Sequence, residues 1–383
     1  MSRTRLMLVC SIGLILLYSA TASAADRALH LRSPLDYQVF QRESRLKGTI
    51  VIRGAKHGNA PVQVRLVGKP LQGELPADWQ TLDVEGDLGV YEGHLAAPAG
   101  GWYRLEVRVG DQTDVVEHVG IGEVFVVAGQ SNSTNYGSEK QKPASGMVVS
   151  FDGTKWAIAD DPQPGVFDKS KGGSFIPAFG DAMVKRFGVP VAIASTGAGA
   201  TSVRQWLMKG ETIEVHPTLD AFVKTVGPGK WQCTGALYDH LMERVKALGP
   251  HGFRAVLWHQ GESDAGQARA GYPADRQISA RQYTELLEKI IRASRKDAGW
   301  EIPWFVAKAT YHSEKDPADR EFRAAQQAVC DDGTAMAGAD SDSLGREYRA
   351  GVHFNGRGLK AHGELWARTI GDYLDKVMGE QKR

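Results

Sequence analysis

Val124-Phe125-Val126-Val127-Ala128-Gly129-Gln130-Ser131-Asn132 decides how the rest of this chain is read. A run of β-prone apolar residues stops at Gly-Gln-Ser-Asn, the pattern of a buried strand that delivers a serine to the open edge of a sheet. A hydroxyl held at the carboxyl end of a strand is accessible both to a substrate and to a histidine from elsewhere in the chain. Ser and Asn equally suit the cap of a following helix. The segment therefore takes its meaning from what surrounds it.

Downstream, compact apolar runs recur at 189–195, 253–258 and 303–308, with a weaker one at 334–339. Helical patterns lie between them. Tyr283, Leu286, Leu287, Ile290 and Ile291 follow the i, i+3, i+4, i+7, i+8 template. Leu237, Leu241, Val245 and Leu248 give a second stripe, and Leu365, Ile370 and Leu374 fall on a terminal helix. Strands alternating with helices predict an α/β fold with a parallel sheet covered on both faces. Upstream, from about Leu29 to Val119, the texture is different. Short segments at 39–40, 48–53, 62–67, 91–95 and 102–109 partly alternate apolar with polar and are separated by Gly, Pro and Asp. This predicts a small antiparallel β-sandwich, with Arg104, Glu106 and Arg108 facing solvent and Tyr103, Leu105, Val107 and Val109 facing inward.

The first residues read as a targeting signal. Arg3 and Arg5 precede an apolar stretch from Leu6 to Leu17, and Ala22-Ser23-Ala24 supplies small residues for cleavage. The stretch is short for a membrane span, and no second long apolar run follows. Cys10, preceded by Val9, does not read as a lipid-attachment site. The expected organisation is a signal peptide at 1–24, a β-sandwich at 25–120 and a larger α/β unit at 121–383, exported to the periplasm or beyond. The 46 basic and 45 acidic residues nearly balance. With no basic stripe, this argues against nucleic acid as a partner. Cys233 and Cys330 are either a disulfide, which an oxidising compartment permits, or two buried thiols.

An α/β sheet gathers its ligand crevice at the carboxyl ends of its strands. Four segments end there. One delivers Ser131. A second runs into the small-residue loop Ser195-Thr196-Gly197-Ala198-Gly199-Ala200-Thr201-Ser202, and a third into Trp258-His259-Gln260-Gly261-Glu262-Ser263-Asp264. The fourth, Gly351-Val352-His353-Phe354-Asn355, precedes the terminal helix. Ester hydrolysis needs a hydroxyl activated by a base and donors facing a developing oxyanion. Ser131 and His353 supply the first pair. The N–H groups of Ser131 and Gly199 and the Gln260 side-chain amide are the candidate donors.

Each has a plainer alternative: Gly199 as a loop-former, Gln260 as a core amide, Glu262 and Asp264 as solvated loop carboxylates. His259 competes with His353 for the role of base, but its place inside the strand end favours packing. Of nine tryptophans, Trp206 is the best placed to stack on a sugar. No Cys, His or carboxylate group has zinc-like spacing, and no cofactor is implied. Ser133 stands where a Gly-x-Ser-x-Gly elbow needs its second glycine, which argues against the α/β-hydrolase fold.

Together these segments resemble the sialate O-acetylesterase-like branch of the SGNH hydrolases. Gly129-Gln130-Ser131-Asn132 is similar to that family's nucleophile block. Gly199-Ala200-Thr201 with Trp206 is similar to its glycine block, usually Gly-Gly-Thr with a downstream Trp. Gln260-Gly261-Glu262-Ser263-Asp264 is similar to its Gln-Gly-Glu-Ser block, and His353 to its terminal histidine block. The resemblance covers about 121–378, and the preceding β-sandwich resembles the accessory domain of such enzymes. It implies a flavodoxin-like hydrolase acting on acetylated carbohydrate, with Ser131 as nucleophile, His353 as base, and Gly199 and Gln260 in the oxyanion hole. One departure stands out. The aspartate that commonly precedes the histidine by three residues is Ala350 here. Asp264, Glu262, Asp340 and Glu347 are the alternatives for orienting His353, unless a backbone carbonyl does so in a Ser–His dyad; the reading favours Asp264 or the dyad. The competing expectations are a carbohydrate-binding protein with little or no turnover, and a lipase- or arylesterase-like enzyme of the same superfamily.

Overall fold

A computed structural model describes residues 29–380, apart from 57–58, 87–88, 218 and 268–270. The expected signal at 1–24 lies outside the described residues. The amino-terminal part opens with β1 (Leu29–Ser33), β2 (Gln38–Gln41), β3 (Lys47–Lys56), β4 (Val62–Val67), β5 (Gln80–Thr81), β6 (Val84–Glu85), β7 (Val90–Pro98) and β8 (Gly100–Val109). One layer is the antiparallel sheet β1-β3-β7-β6. The other runs through β5, β4 and β8 to β9 (Gln112–Gly129), again antiparallel. Alternation explains the layers. Ile50 and Ile52 of β3, Val62 and Val64 of β4, and Tyr103, Leu105 and Val107 of β8 point into one shared core. Two details differ from the sequence reading. The short β2 pairs with β9 in parallel, and Glu106 is buried rather than solvated, because Arg65 and Arg104 close over its carboxylate.

β9 is the element that joins the two parts. Its first half pairs with β8, and its second half becomes a central strand of the larger sheet. That sheet adds β10 (Val148–Phe151), β11 (Trp156–Ile158) and β12 (Val191–Ser195). Beyond the small sheet of β13 (Thr212–Ile213), β14 (Val223–Gly227) and β15 (Lys230–Cys233), it continues with β16 (Ala255–His259), β17 (Trp304–Lys308) and β18 (Met336–Asp340). The order is β11-β10-β12-β9-β16-β17-β18, all parallel except the edge strand β11. Leaving aside the β10–β11 edge, the five strands β12-β9-β16-β17-β18 stand in chain order 2-1-3-4-5, the doubly wound arrangement whose switch point lies between the first and third. Here that is the junction of β9 with β16.

The helices are α1 (Ile176–Phe187), α2 (Ala236–Leu248), the short α3 (Glu262–Ala265), α4 (Ala280–Ala298), α5 (Arg320–Asp331) and α6 (Gly356–Glu380). Each strand sends alternate side chains to opposite faces. Phe125, Val127, Ile193 and Leu257 pack with α1 and α6, while Val124, Val126, Ala194, Val256 and Trp258 pack with α2, α4 and α5. Cys233 and Cys330 are free thiols, the first buried and the second half-buried. Among the described residues no helix is long and apolar enough to cross a membrane.

Where β9 passes between the two parts it carries a fully buried charge. Glu123 receives Arg42 Nε at 2.7 Å, Arg254 Nε at 2.9 Å and Gln41 Nε2 at 3.0 Å. Burial works to raise its pKa, but the Arg254 and Arg42 guanidiniums outweigh burial and hold the carboxyl below its ordinary value of 4.5. Removing one partner of a buried pair typically costs about 3–5 kcal/mol, because the remaining charge is left uncompensated. Glu123→Gln is expected to destabilise the fold by roughly 3 kcal/mol, read as a lower denaturation midpoint at neutral pH. A group with a depressed folded pKa stabilises above its unfolded value and loses that contribution as the pH falls. The gap between variant and parent should therefore narrow on acidification below about 4.5, the ordinary value for Glu. A gap that stays constant with pH would count against the ionised pair.

Candidate active site

The turn that follows β9 is fixed by a close approach of backbones. Gly129 has φ of +130°, and a Cβ there would lie 2.0 Å from the His259 carbonyl oxygen. The crossing lets the Gln130 N–H donate to that same oxygen at 2.9 Å. Residues 131–133 then form one turn of 3-10 helix, closed by Ser133 Oγ donating to the Gln130 carbonyl (2.7 Å) and Thr134 Oγ1 donating to the Ser131 carbonyl (2.9 Å). Ser131 thus sits at the carboxyl edge of the sheet, 6% exposed.

His353 reaches this turn from the far end of the chain. It opens β20 (His353–Phe354), which pairs with β19 (Arg349–Ala350) in a two-stranded hairpin. Three contacts lay that hairpin on the serine turn. Asn132 Nδ2 donates to the Val352 carbonyl (3.1 Å), the Ser138 N–H donates to the Phe354 carbonyl (3.1 Å), and the Tyr136 ring packs on the His353 ring with centroids 5.0 Å apart. Among the described residues, no hydrogen bond joins the Ser131 hydroxyl to His353. Burial lowers the His353 pKa from its ordinary 6.5; nearby Glu262 raises it and Arg349 lowers it further. The imidazole is therefore neutral at pH 7, the form a general base requires.

Gly199 lies on the loop after β12, beneath Tyr136. A Cβ on Gly199 would come within 2.6 Å of the Tyr136 hydroxyl oxygen, so any larger residue would push that ring aside. Its N–H already has a partner: Asp168 Oδ2 at 2.5 Å. Asp168 also hydrogen bonds the Tyr136 hydroxyl, whose pKa is raised by burial and by that carboxylate. Asp168 and Tyr136, neither singled out from the sequence, thus cover the donor expected to face an oxyanion. An isolated Phe-Asp-Lys in a loop carries no signal that would have found the first of them.

Gln260 and Asp264 are both brought to this end of the sheet, but their polar atoms are turned inward. Gln260 is fully buried, and its Nε2 donates to Asp264 Oδ2 (2.8 Å), the Thr201 carbonyl (3.0 Å) and Gln130 Oε1 (3.3 Å). Asp264 accepts from Ser202 Oγ (2.5 Å) and the Val203 N–H (2.8 Å), and faces Arg204 at 3.4 Å. Its hydrogen bonds brace the Gly199–Trp206 loop from behind, and none runs to His353. Trp206 is a correction to the sequence reading. It is fully buried, donating its indole N–H to Thr201 Oγ1 (3.0 Å) and packing edge-on against Trp258, so it offers no face to a sugar.

The carboxylate on the His353 side is Glu262. Its Oε1 accepts from Asn132 Nδ2 (2.9 Å) and lies 2.9 Å from His259 Nε2, and Oε2 is buried without a partner. Burial acts to raise its pKa, yet His259 and Asn132 keep it below the ordinary value. An ionised carboxylate only accepts, so His259 Nε2 carries the hydrogen. His259, fully buried, is packed as its place in the strand suggested. Asp340 is held bidentate by Arg323 (2.7 and 2.8 Å), and Glu347 is exposed.

Comparison with solved structures agrees with this architecture. A carbohydrate acetylesterase from Xanthomonas citri superposes with a TM-score of 0.54 at 18% identity, over 88% of this chain and 73% of its own. A protein from Arabidopsis thaliana (TM-score 0.46, 17% identity, 66% and 98% covered) and an acetyl xylan esterase variant from Geobacillus stearothermophilus (0.39, 13%, 66% and 94%) are more distant. At these identities the likeness of the first is one of fold. No curated protein sequence matches the chain. Residues 121–371, which hold Ser131, Gly199, Glu262 and His353, match the family model of carbohydrate esterases described as sialic acid-specific acetylesterase, and the chain belongs to that family.

Proposed function

We propose that this chain is a serine esterase that removes O-acetyl groups from carbohydrate, with Ser131 as nucleophile and His353 as base. The observation that carries this reading is the hairpin of His353 seated on the Ser131 turn through Asn132, Ser138 and Tyr136. Ser131 Oγ attacks the acetyl carbonyl carbon as its proton passes to the His353 imidazole. The tetrahedral oxyanion is received by the Ser131 and Gly199 N–H groups, each such donor contributing roughly 2.7–4 kcal/mol in other esterolytic sites. Collapse expels the sugar oxygen, which takes the proton from His353. Water, deprotonated by the same imidazole, then releases acetate and restores Ser131. The buried Gln260 amide and Asp264 hold the loop that presents Gly199. The signal pattern at 1–24 supports export, to the periplasm or outside the cell, where acetylated glycans are available as substrate.

A second reading has its own support. With Asp168 on the Gly199 N–H and Ala350 in place of an acid, the crevice also suits a carbohydrate-binding protein with little turnover. A serine-reactive phosphonate separates the two, since a binder leaves Ser131 unlabelled. A lipase- or arylesterase-like enzyme would differ in accepting long acyl chains.

Ser131→Ala is expected to lower acetate release from acetylated sugars and aryl acetates by about 10³-fold or more, with the melting temperature unchanged. Retained turnover would remove Ser131 from the mechanism. Because burial lowers the His353 pKa, the base persists in its neutral form into mildly acid solution. The acid limb of kcat/KM should accordingly fall below the ordinary 6.5, and a limb at or above that value contradicts the assignment. The Gly199 N–H cannot serve Asp168 and an oxyanion at once. Hydrogen bonds to charged groups are worth about 1.5–3 kcal/mol, so Asp168→Ala should raise kcat/KM on the order of tenfold. A fall in kcat/KM would detach Gly199 from the oxyanion.

A further inference from the structure

The family's usual acid is missing at Ala350, and three of the four substitute carboxylates are otherwise engaged or exposed. Asp264 is committed to Ser202, Val203 and Gln260, Asp340 to Arg323, and Glu347 lies in solvent. Glu262 differs. It lies beneath the serine turn, and one amide ties it to both catalytic elements: Asn132 Nδ2 donates to Glu262 Oε1 (2.9 Å) and to the Val352 carbonyl (3.1 Å). Asn132 follows the nucleophile in sequence, and Val352 precedes the base.

We propose that Glu262, linked through Asn132 to the His353 hairpin, is the acid partner of His353 and replaces the absent triad aspartate from a different strand end. This rests on the reading of Ser131 and His353 as nucleophile and base. Glu262 acts as a positioning residue, touching neither substrate nor the reacting atoms. The Asn132 amide fixes the hairpin's height over the serine turn, and the carboxylate provides a fixed negative charge that favours the protonated imidazole. When His353 accepts the Ser131 proton, that charge stabilises the imidazolium. The proton stays on the imidazole and Glu262 remains ionised throughout. His259 has the matching role of donating its Nε2–H to Oε1, which keeps the buried carboxylate charged.

Among the described residues, three groups act on His353 through ring contact or charge. Tyr136 comes from the serine turn and is uncharged, Glu262 comes from α3, and Arg349 comes from the paired strand of the hairpin. Arg349 donates to the carbonyls of Leu344, Ser341 and Val352 and lies over the Tyr311 and Phe354 rings. Its positive charge opposes Glu262 at the imidazole. The balance of these two charges sets the affinity of the base for its proton, so removing Glu262 leaves only the opposing influence.

The test separates this inference from the esterase reading by using a readout independent of turnover. The His353 imidazole is titrated by NMR in Ser131→Ala and in Ser131→Ala/Glu262→Gln, with near-ultraviolet dichroism verifying the fold of each. The Glu262→Gln background should lower the His353 midpoint by roughly half a pH unit or more. An unchanged or raised midpoint in a folded protein overturns the proposal, whether or not the parent releases acetate. In the active protein, Glu262→Gln should lower kcat by about 10- to 10³-fold with little change in KM, and Glu262→Asp should recover part of it. A kcat within twofold of the parent for Glu262→Gln also overturns it. Should Glu262→Gln fail to fold, Asn132→Ala carries the same decision: kcat must fall and the midpoint move down, and a folded variant changing neither sinks the idea.

Discussion

The crossing of β9 and β16 at Gly129 and His259 is the constraint on which the site depends. Two neighbouring parallel strands end side by side there, and a side chain on residue 129 would occupy the position of the His259 carbonyl. Because the backbones touch, Gln130 bonds across to His259, and its side-chain oxygen accepts the N–H groups of Gly261 (3.3 Å) and Ser263 (3.0 Å). Ser131 and Glu262 are thereby carried on two strand ends braced against each other. The position is also the switch point of the sheet, where chain connections leave in opposite directions and open a crevice. One steric condition thus places both Ser131 and the Glu262 carboxylate behind it.

Beneath this crossing lies a layer of buried polar side chains that a hydrophobic core would exclude: Gln130, Gln260, Glu262, Asp264, Arg204 and His259. Burying such groups is unfavourable unless each finds partners, and most of them do. Asp264 is the centre of the layer, gathering Ser202, Val203, Gln260 and Arg204. Its role is to hold the Gly199 loop against β16. A few atoms stay unpaired, including Gln260 Oε1, Glu262 Oε2 and His259 Nδ1. These three lie in the layer under the serine turn, while others, such as the Trp258 and Trp304 indole nitrogens, lie on an apolar face of the sheet.

Much of this was legible in the sequence, and the parts that were not share a cause. The five strands of the doubly wound order correspond to apolar runs because buried parallel strands leave no polar alternation to blur them. That Ser131, Gly199 and His353 gather at one end of the sheet was legible because they sit at strand or loop ends marked by glycine. β10 escaped notice because Val148-Val149-Ser150-Phe151 is too short a run to separate from loop, and α5 because Arg320–Asp331 presents few large apolar residues. Trp206 and Asp264 were misread for a different reason. A tryptophan after a glycine loop and an acid after a glutamate carry no mark of which way they face. Direction is decided by tertiary packing, here Trp258 on one and the Ser202–Arg204 turn on the other. Asp168 lies even further from view, since its contact with Gly199 joins two loops whose proximity no local pattern encodes.

The charges around His353 complete this reasoning. A buried ion is costly without compensation, yet Arg349 and Glu262 are both buried and form no direct ion pair. Arg349 is satisfied by carbonyls and aromatic faces, and burial pulls its pKa down to about 10 while Glu262 and Asp342 act to raise it. Glu262 has an amide and an imidazole on Oε1, with Oε2 unpaired. Had the two met in contact, their fields would largely cancel at a neighbouring ring. Kept apart, they act on His353 with opposite sign, and the imidazole's basicity becomes adjustable through either residue. In a triad with its acid three residues before the histidine, carboxylate and base ride on the same loop and move together. Here Glu262 belongs to α3 and His353 to the β19–β20 hairpin, so their registration depends on the bridge between them. Asn132 is that bridge, and its position immediately after Ser131 couples the placement of Ser131, Glu262 and the His353 hairpin.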